Sequence, residues 1–327
     1  MNFSGKNILM ISPPFFGYEG EIAESLRSQG ALVDYISDRP FESTFMKGFT
    51  RLFAAFVAKN SEQYYLQKIQ KFNKKYDYIL VINGEALSGN LLLLLRKMFV
   101  RATFILYMWD SFKNRSNLER NISLYDRAFT FDKEDAKKFN ICFRPLFFSN
   151  HFKNLPESQI IYDLSFVGTA HSDRYKIIKN IKKNISKDRN FFYFLYLQAH
   201  WLFYFYRIFK KGFSSARLKE FNYESINKGQ VRNIFLNSFA ILDIQHPNQL
   251  GLTIRTFEAL GARKKLVTTN SDISTYDFYH PDNILIIDRK GFCALPETFF
   301  SKDYHNISEN LYDKYSLSGW IKDIFNI

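Results

Sequence analysis

The stretch richest in usable chemistry is Gly251-Leu252-Thr253-Ile254-Arg255-Thr256-Phe257-Glu258-Ala259-Leu260-Gly261-Ala262, which leads into Lys265-Leu266-Val267-Thr268-Thr269. A small-residue loop opens a helix, the helix carries a glutamate, and a strand ends in polar residues. The first turn of a helix presents N–H groups without intrahelical partners at the positive end of the dipole, so it suits a phosphate. Arg255 adds a guanidinium that can make forked contacts to phosphate oxygens. Glu258, one helical step further, can share a face with Arg255, and its carboxylate could accept hydrogen bonds from a ribose diol. Three other acids follow predicted strands: Asp110 after 103–108, Asp132 after 128–131 and Glu85 after 78–82. Asp110, within Trp109-Asp110-Ser111, is the preferred general base because it ends a predicted central strand. Each residue also has a plainer reading. Glu258 could be an ordinary helix glutamate, Arg255 a surface ion pair, Gly168 a turn glycine, and Asp110 a helix cap.

The elements that position these groups alternate between strand and helix. Apolar runs at 7–11, 31–36, 78–82, 103–108 and 128–131 read as strands, and 21–29, 45–72, 91–98 and 133–139 as helices. The opening β–loop–α–β has the form of a Rossmann-like half. Patterning lapses over 151–159, where Lys153-Asn154-Leu155-Pro156-Glu157-Ser158 suits a linker. It restarts with strands at 164–167, 191–197, 240–244, 265–269 and 283–287. Helices are expected at 175–185, from 254 to 260, and once or twice over 307–325. The expected architecture is therefore α/β, with two Rossmann-like domains facing across a cleft. The domains are 1–155 and 156–305, followed by helices over 306–327, which a resemblance to GT-B enzymes, set out next, implies cross back to the first.

The segment 251–269 resembles the donor-binding helix of GT-B glycosyltransferases, including bacterial enzymes of lipopolysaccharide and capsule synthesis. In that family "R-x-F-E-x-L" and "K-L-V-T" recur, and the matching residues are Arg255, Phe257, Glu258, Leu260, Lys265, Leu266, Val267 and Thr268. The resemblance implies that Glu258 holds the nucleotide ribose and that Thr253 and Arg255 meet the diphosphate. Tyr162-Asp163-Leu164-Ser165-Phe166-Val167-Gly168-Thr169 is similar to the first strand and loop of the same domain, where Gly168 lets the backbone approach the donor. Thr169, His171, Arg174 and His246 join it as donor-binding residues. The resemblance covers the C-terminal half well and the N-terminal half in outline. It departs at Leu250, where many retaining enzymes carry a glutamate eight positions before Glu258, so the stereochemical outcome stays open. An inverting displacement needs a base for the acceptor hydroxyl, the role given to Asp110. The family implies no metal and no cofactor beyond the nucleotide-sugar substrate, and the acceptor is a saccharide or a lipid-linked sugar.

Composition agrees with an enzyme-sized α/β chain. The 327 residues are 46% hydrophobic and 18% aromatic, with 14 glycines and 8 prolines, which excludes a fibrous or disordered chain. Two cysteines, Cys142 and Cys293, make no disulfide framework and point to a reducing, cytoplasmic setting. No run of eighteen residues is free of polar breaks, and 191–209 comes nearest. The net charge of +13 calls for an anionic partner. Twelve Lys/Arg and the single acid Asp188 fall within 174–219, interleaved with aromatics. That mixture suits an anionic membrane surface on the inner face of the plasma membrane.

Two other functions compete. A nucleic-acid binder would use the same charge and aromatics, but no reader motif is present and segment 251–269 would have no role. A non-catalytic GT-B-like scaffold is the other. A nucleotide-sugar epimerase or dehydrogenase is disfavoured because Ser12-Pro13-Pro14-Phe15-Phe16-Gly17-Tyr18-Glu19-Gly20 lacks the Gly-x-Gly-x-x-Gly turn.

Overall fold

The structure is a computed structural model that describes residues 3–38, 54–114, 116–210, 212–247, 249–290 and 295–326. Residues 45–53 of the helix expected over 45–72, Lys211 of the basic stretch, and Cys293 lie outside the described residues. The chain divides into two compact units, Met1–Leu146 with Leu317–Ile327, and Phe147–Ser316. The sequence pattern had suggested divisions at 155/156 and 305/306.

In the first unit the elements run β1 (Asn7–Ser12), α1 (Tyr18–Ser28), β2 (Leu32–Ser37), α2 (Ala54–Phe72), β3 (Tyr78–Ile82), α3 (Gly89–Met98), β4 (Thr103–Met108), β5 (Arg127–Thr130), α4 (Lys133–Phe139) and β6 (Cys142–Phe143). The described strands form one parallel sheet in the order β2-β1-β3-β4-β5-β6. Helices cover parallel sheets on both faces, which is why β1, β3 and β4 are near-continuous apolar runs with almost every residue buried. α1 buries Ile22, Ala23 and Leu26 and places Glu19 and Glu21 in its first turn and Arg27 in its last, matching the helix dipole. α3 starts at Ser88, whose hydroxyl accepts from the Leu91 N–H, and turns Leu91, Leu92 and Leu95 into the core.

The second unit repeats the theme with β7 (Tyr162–Thr169), α5 (Arg174–Asn184), β8 (Phe191–Tyr196), α6 (His200–Phe209), α7 (Lys228–Leu236), β9 (Ser238–Asp243), α8 (Ile254–Gly261), β10 (Lys265–Thr268), β11 (Ile284–Ile286), α9 (Glu297–Ser301) and α10 (Glu309–Lys314). Its sheet is also parallel, ordered β11-β10-β9-β7-β8. The helices α6 and α7 were not expected from the sequence. The apolar run over 191–209 breaks at Gln198-Ala199 into one edge strand and one helix. No helix among the described residues is long and apolar enough to cross a membrane. α8 packs tightly inside the unit. A Cβ on Gly261 would come within 2.5 Å of the Phe148 ring, so the close approach there requires glycine.

A last helix, α11 (Leu317–Phe325), belongs to the first unit. Trp320 is fully buried and meets the Tyr107 ring edge-on at 4.8 Å. Arg127 donates to the Phe325 carbonyl at 2.6 Å, and Arg144 pairs with Asp323 at 2.7 Å.

Candidate functional site

In an open parallel sheet, ligands bind beyond the carboxyl ends of the strands where the strand order reverses. In the second unit that reversal lies between β7 and β9. Gly168, Thr169, His171 and Arg174 follow or end β7, and Asp243, Gln245 and His246 end or follow β9. The start of α8 and Arg289, just after β11, complete the same end of the sheet.

Hydrogen bonds knit these groups together. Arg174, the first residue of α5, donates from Nε to the Ile244 carbonyl at 2.8 Å and from Nη1 to the Thr169 carbonyl at 3.2 Å. It thereby ties the β7 loop to the β9 loop. Arg289 donates to Asp173 Oδ1 (2.7 Å), the Gln245 carbonyl (2.7 Å) and the Thr269 hydroxyl (3.1 Å). Thr269 and Gln245 are joined by a further short hydrogen bond between their side chains. Asp243 is buried and accepts from both the Thr253 hydroxyl (2.7 Å) and the Thr256 hydroxyl (3.0 Å). Thr253 stands at the N-cap of α8, yet its hydroxyl turns to Asp243 and makes no cap hydrogen bond to the first turn.

Charge crowds this end of the sheet. Burial holds the Arg174 guanidinium down to about 10, and the neighbouring Arg255 and Arg289 push the same way while Asp243 opposes them. Arg255 and Arg289 are thus both close enough to act on Arg174. Burial likewise pushes His171 down to about 3, with Arg174, His246 and Lys210 adding to the effect, so its ring is neutral at pH 7. The rings of His171 and His246 lie 5.9 Å apart, and His171 Nδ1 is 3.1 Å from the Ser172 hydroxyl. His246 is exposed.

Glu258 and Arg255 share a helix face and use it on each other. Arg255 Nη1 is 2.5 Å from Glu258 Oε2, with the two side chains 19% and 5% exposed. The Arg255 guanidinium also lies over the Phe235 ring at 5.0 Å. Gly168 makes room for its own neighbours. A Cβ there would sit 2.8 Å from Phe166 Cζ and 3.2 Å from Arg174 Nη1.

The structure therefore gathers Gly168, Thr169, His171, Arg174, His246, Thr253, Arg255 and Glu258 at one end of one sheet. Sequence reasoning missed Asp243, Asp173, Gln245 and Arg289 there. Asp173 and Gln245 border residues already singled out, one just ahead of a predicted helix and the other just past a predicted strand, whereas Asp243 falls inside the strand expected over 240–244. Arg289 carried no motif.

Asp110 belongs to the first unit. Asn83, in a left-handed conformation at φ 60°, accepts from the Trp109 N–H at 3.1 Å through its side chain and so fixes the turn that ends β4. Asp110 Oδ1 accepts from the Ser111 N–H at 3.0 Å. Its two rivals fare differently. Asp132 is the N-cap of α4 and accepts from the Glu134 and Asp135 N–H groups, a structural duty. Glu85 is exposed, and its N–H donates to the buried Asp38 carboxylate at 2.7 Å. Burial raises Asp38 to about 6, against the hydrogen bonds it accepts from Ala86, Tyr65 and Glu85.

No family model matches the sequence, and none of the curated proteins is similar to it in sequence. Solved structures are similar in fold. Anabaena HepE in complex with UDP and glucose superposes with a TM-score of 0.59 at 11% identity, covering 98% of both chains. The same protein in complex with UDP-glucose gives 0.57 at 12% identity. A glycosyltransferase from Rickettsia africae gives 0.56 at 13% identity, covering 98% of this chain and 93% of that one. The likeness shows the fold, two Rossmann-like units of the GT-B class, as the sequence had led us to expect.

Proposed function

We propose that this GT-B chain is a glycosyltransferase that moves a sugar from a nucleotide-sugar donor to a saccharide or lipid-linked acceptor in bacterial surface-polysaccharide synthesis. One observation carries the reading: Arg174, Arg255, Arg289 and the N-terminus of α8 converge where the strand order reverses between β7 and β9. Such a place suits an anion with two phosphate groups. That HepE, with the same fold, was crystallised with UDP and with UDP-glucose supports the choice of anion.

In this reading the diphosphate lies against the Gly168–Thr169 loop and the first turn of α8, whose amides Thr253 leaves uncapped. Arg255 and Arg289 oppose the negative charge that grows on the diphosphate as the bond to the sugar breaks. Arg174 acts by fixing both loops through their carbonyls. Glu258 takes the ribose hydroxyls while holding Arg255. Neutral His171 and exposed His246 can donate to phosphate or sugar oxygens. Asp110 receives the proton of the acceptor hydroxyl. The side chains supply the charge, and a metal is not part of the proposal. Peripheral attachment of a cytoplasmic enzyme to the plasma membrane, through 174–219, belongs to the same reading.

The test is a thermal-shift panel of UDP, GDP, CDP and dTDP. A ligand that binds only the folded state raises the melting temperature by mass action. A clear shift with one nucleotide supports the donor site and names the base. No shift with any of them, in folded protein, overturns the transferase reading in favour of a scaffold.

A further inference from the structure

We infer that α6 is an in-plane anchor that docks this chain on an anionic lipid surface. Its sequence is His-Trp-Leu-Phe-Tyr-Phe-Tyr-Arg-Ile-Phe, ten residues with no carboxylate. A helix this apolar inside a soluble domain ordinarily buries most of its surface. Here Phe203 alone is buried, meeting the core ring of Phe221 edge-on, with Leu202 and Tyr206 partly buried beside it. The opposite face carries Trp201, Tyr204, Phe205, Ile208 and Phe209, at i, i+3/i+4 and i+7/i+8, and all five are exposed. Trp201 is 66%, Ile208 74% and Phe209 69% accessible. A continuous exposed apolar stripe of this size marks an interaction surface.

Its surroundings select the partner. α5 runs alongside the turn that leaves α6, since Lys176 packs on Gly212 and Lys179 Nζ donates to the Ser215 hydroxyl at 3.0 Å. Lys176 and Lys179, both exposed, thus put positive charge beside that turn, Arg207 on α6 itself is exposed as well, and the exposed Lys182 and Lys183 continue the basic run of α5. Tryptophan and tyrosine prefer the headgroup level of a bilayer, and flanking lysines draw it to anionic lipid. A second copy of the chain is the poorer occupant, because an isologous contact through α6 would set these positive flanks against each other. Lys210, the next residue after α6, is close enough to His171 to act on it electrostatically. The inference gives the membrane attachment proposed above a specific element, and it depends on none of the donor chemistry.

The experiment is flotation of the whole chain with vesicles of phosphatidylcholine, with and without phosphatidylglycerol. Alongside it, melting temperature and nucleotide-induced shift are read for every variant. The wild type is expected to float with the anionic vesicles, less so as salt rises. W201S/F205S/I208S/F209S should weaken partition by more than about a hundredfold, because each lost side chain is worth roughly tenfold. K176Q/K179Q/K182Q/K183Q should weaken it roughly fivefold per charge. Both variants alter exposed positions and should keep the wild-type melting temperature and nucleotide response, so failure of membrane docking and failure of the donor site are read separately. The inference is overturned if the wild type does not float, or if the four-serine variant floats undiminished. It is also overturned if light scattering shows a dimer that the serine variant turns into a monomer while neither protein binds vesicles.

Discussion

Replacing Glu258 by glutamine separates the two duties assigned to it. In the wild type its Oε2 sits 2.5 Å from Arg255 Nη1 in a place where the two side chains keep 5% and 19% of their surface. Removing one partner of a fully buried ion pair costs about 3–5 kcal/mol. Arg255 retains some contact with water and with the Phe235 ring, and glutamine still offers one acceptor, so about 2 kcal/mol is expected for E258Q. In a unit of this size that lowers the melting temperature by about 4–8 °C. The ligand response is the second readout. A nucleoside diphosphate at a hundred times its Kd stabilises the wild type by about 2.7 kcal/mol. Loss of charge-assisted hydrogen bonds to a ribose diol removes about 1.5–3 kcal/mol, or roughly tenfold to a hundredfold in Kd. At the same nucleotide concentration the thermal shift should then shrink to about half or less. An E258Q protein that melts early yet keeps the full nucleotide shift would refute the ribose contact and leave Glu258 as the support of Arg255 alone.

Other expectations follow from the same geometry. Arg289→Met severs the links to Asp173, Gln245 and Thr269 and should weaken nucleoside diphosphate binding about tenfold or more by titration calorimetry, the scale of a lost charged hydrogen bond. Gly168→Ala forces the Phe166 ring and the Arg174 guanidinium aside, so a loss of about 1–3 kcal/mol in denaturant unfolding is expected, with weaker nucleotide binding beside it. His171 titrates near 3 in the fold, below its ordinary range. The unfolded chain binds the extra proton between about 6.5 and 3, so stability is lost as pH falls through that window, and the slope should flatten in His171→Phe. Asp38 has the opposite sign. Its folded value of about 6 lies above the ordinary carboxylate, so its contribution is complete below about 4 and lost as pH rises through 6. The stability gap between wild type and Asp38→Asn should narrow from pH 4 to pH 7 in urea melts, and a gap that widens would contradict the burial of the charged form.

The described strands other than the exposed two-residue β6 were legible because parallel strands buried on two faces must be continuous apolar runs, as Asn7–Ser12, Tyr78–Ile82 and Thr103–Met108 are. α6 was illegible for the converse reason. Its inward and outward faces are both aromatic, so no amphipathic period separates it from β8. α7 was missed although Asn227 and Gln230 form a capping box at its start, a signal open to a closer reading. At the site, Arg255 and Glu258 stood out through local spacing. Arg289 could not, because its partners Asp173, Gln245 and Thr269 lie 116, 44 and 20 positions away and only the sheet order brings them together.

The first unit is interrupted by the whole of the second, since Trp320 and its helix fill a hole beside Tyr107 that Met1–Leu146 leaves open. On the ribosome, β1 to β6 must wait through the synthesis of residues 147–316 before the side chains that seal them emerge from the exit tunnel. The second unit can close its own core first. Nascent chains halted before residue 317 should therefore expose apolar surface around β4 to chaperones and proteases, and a stop codon there should abolish accumulation of the protein even with every donor-site residue in place.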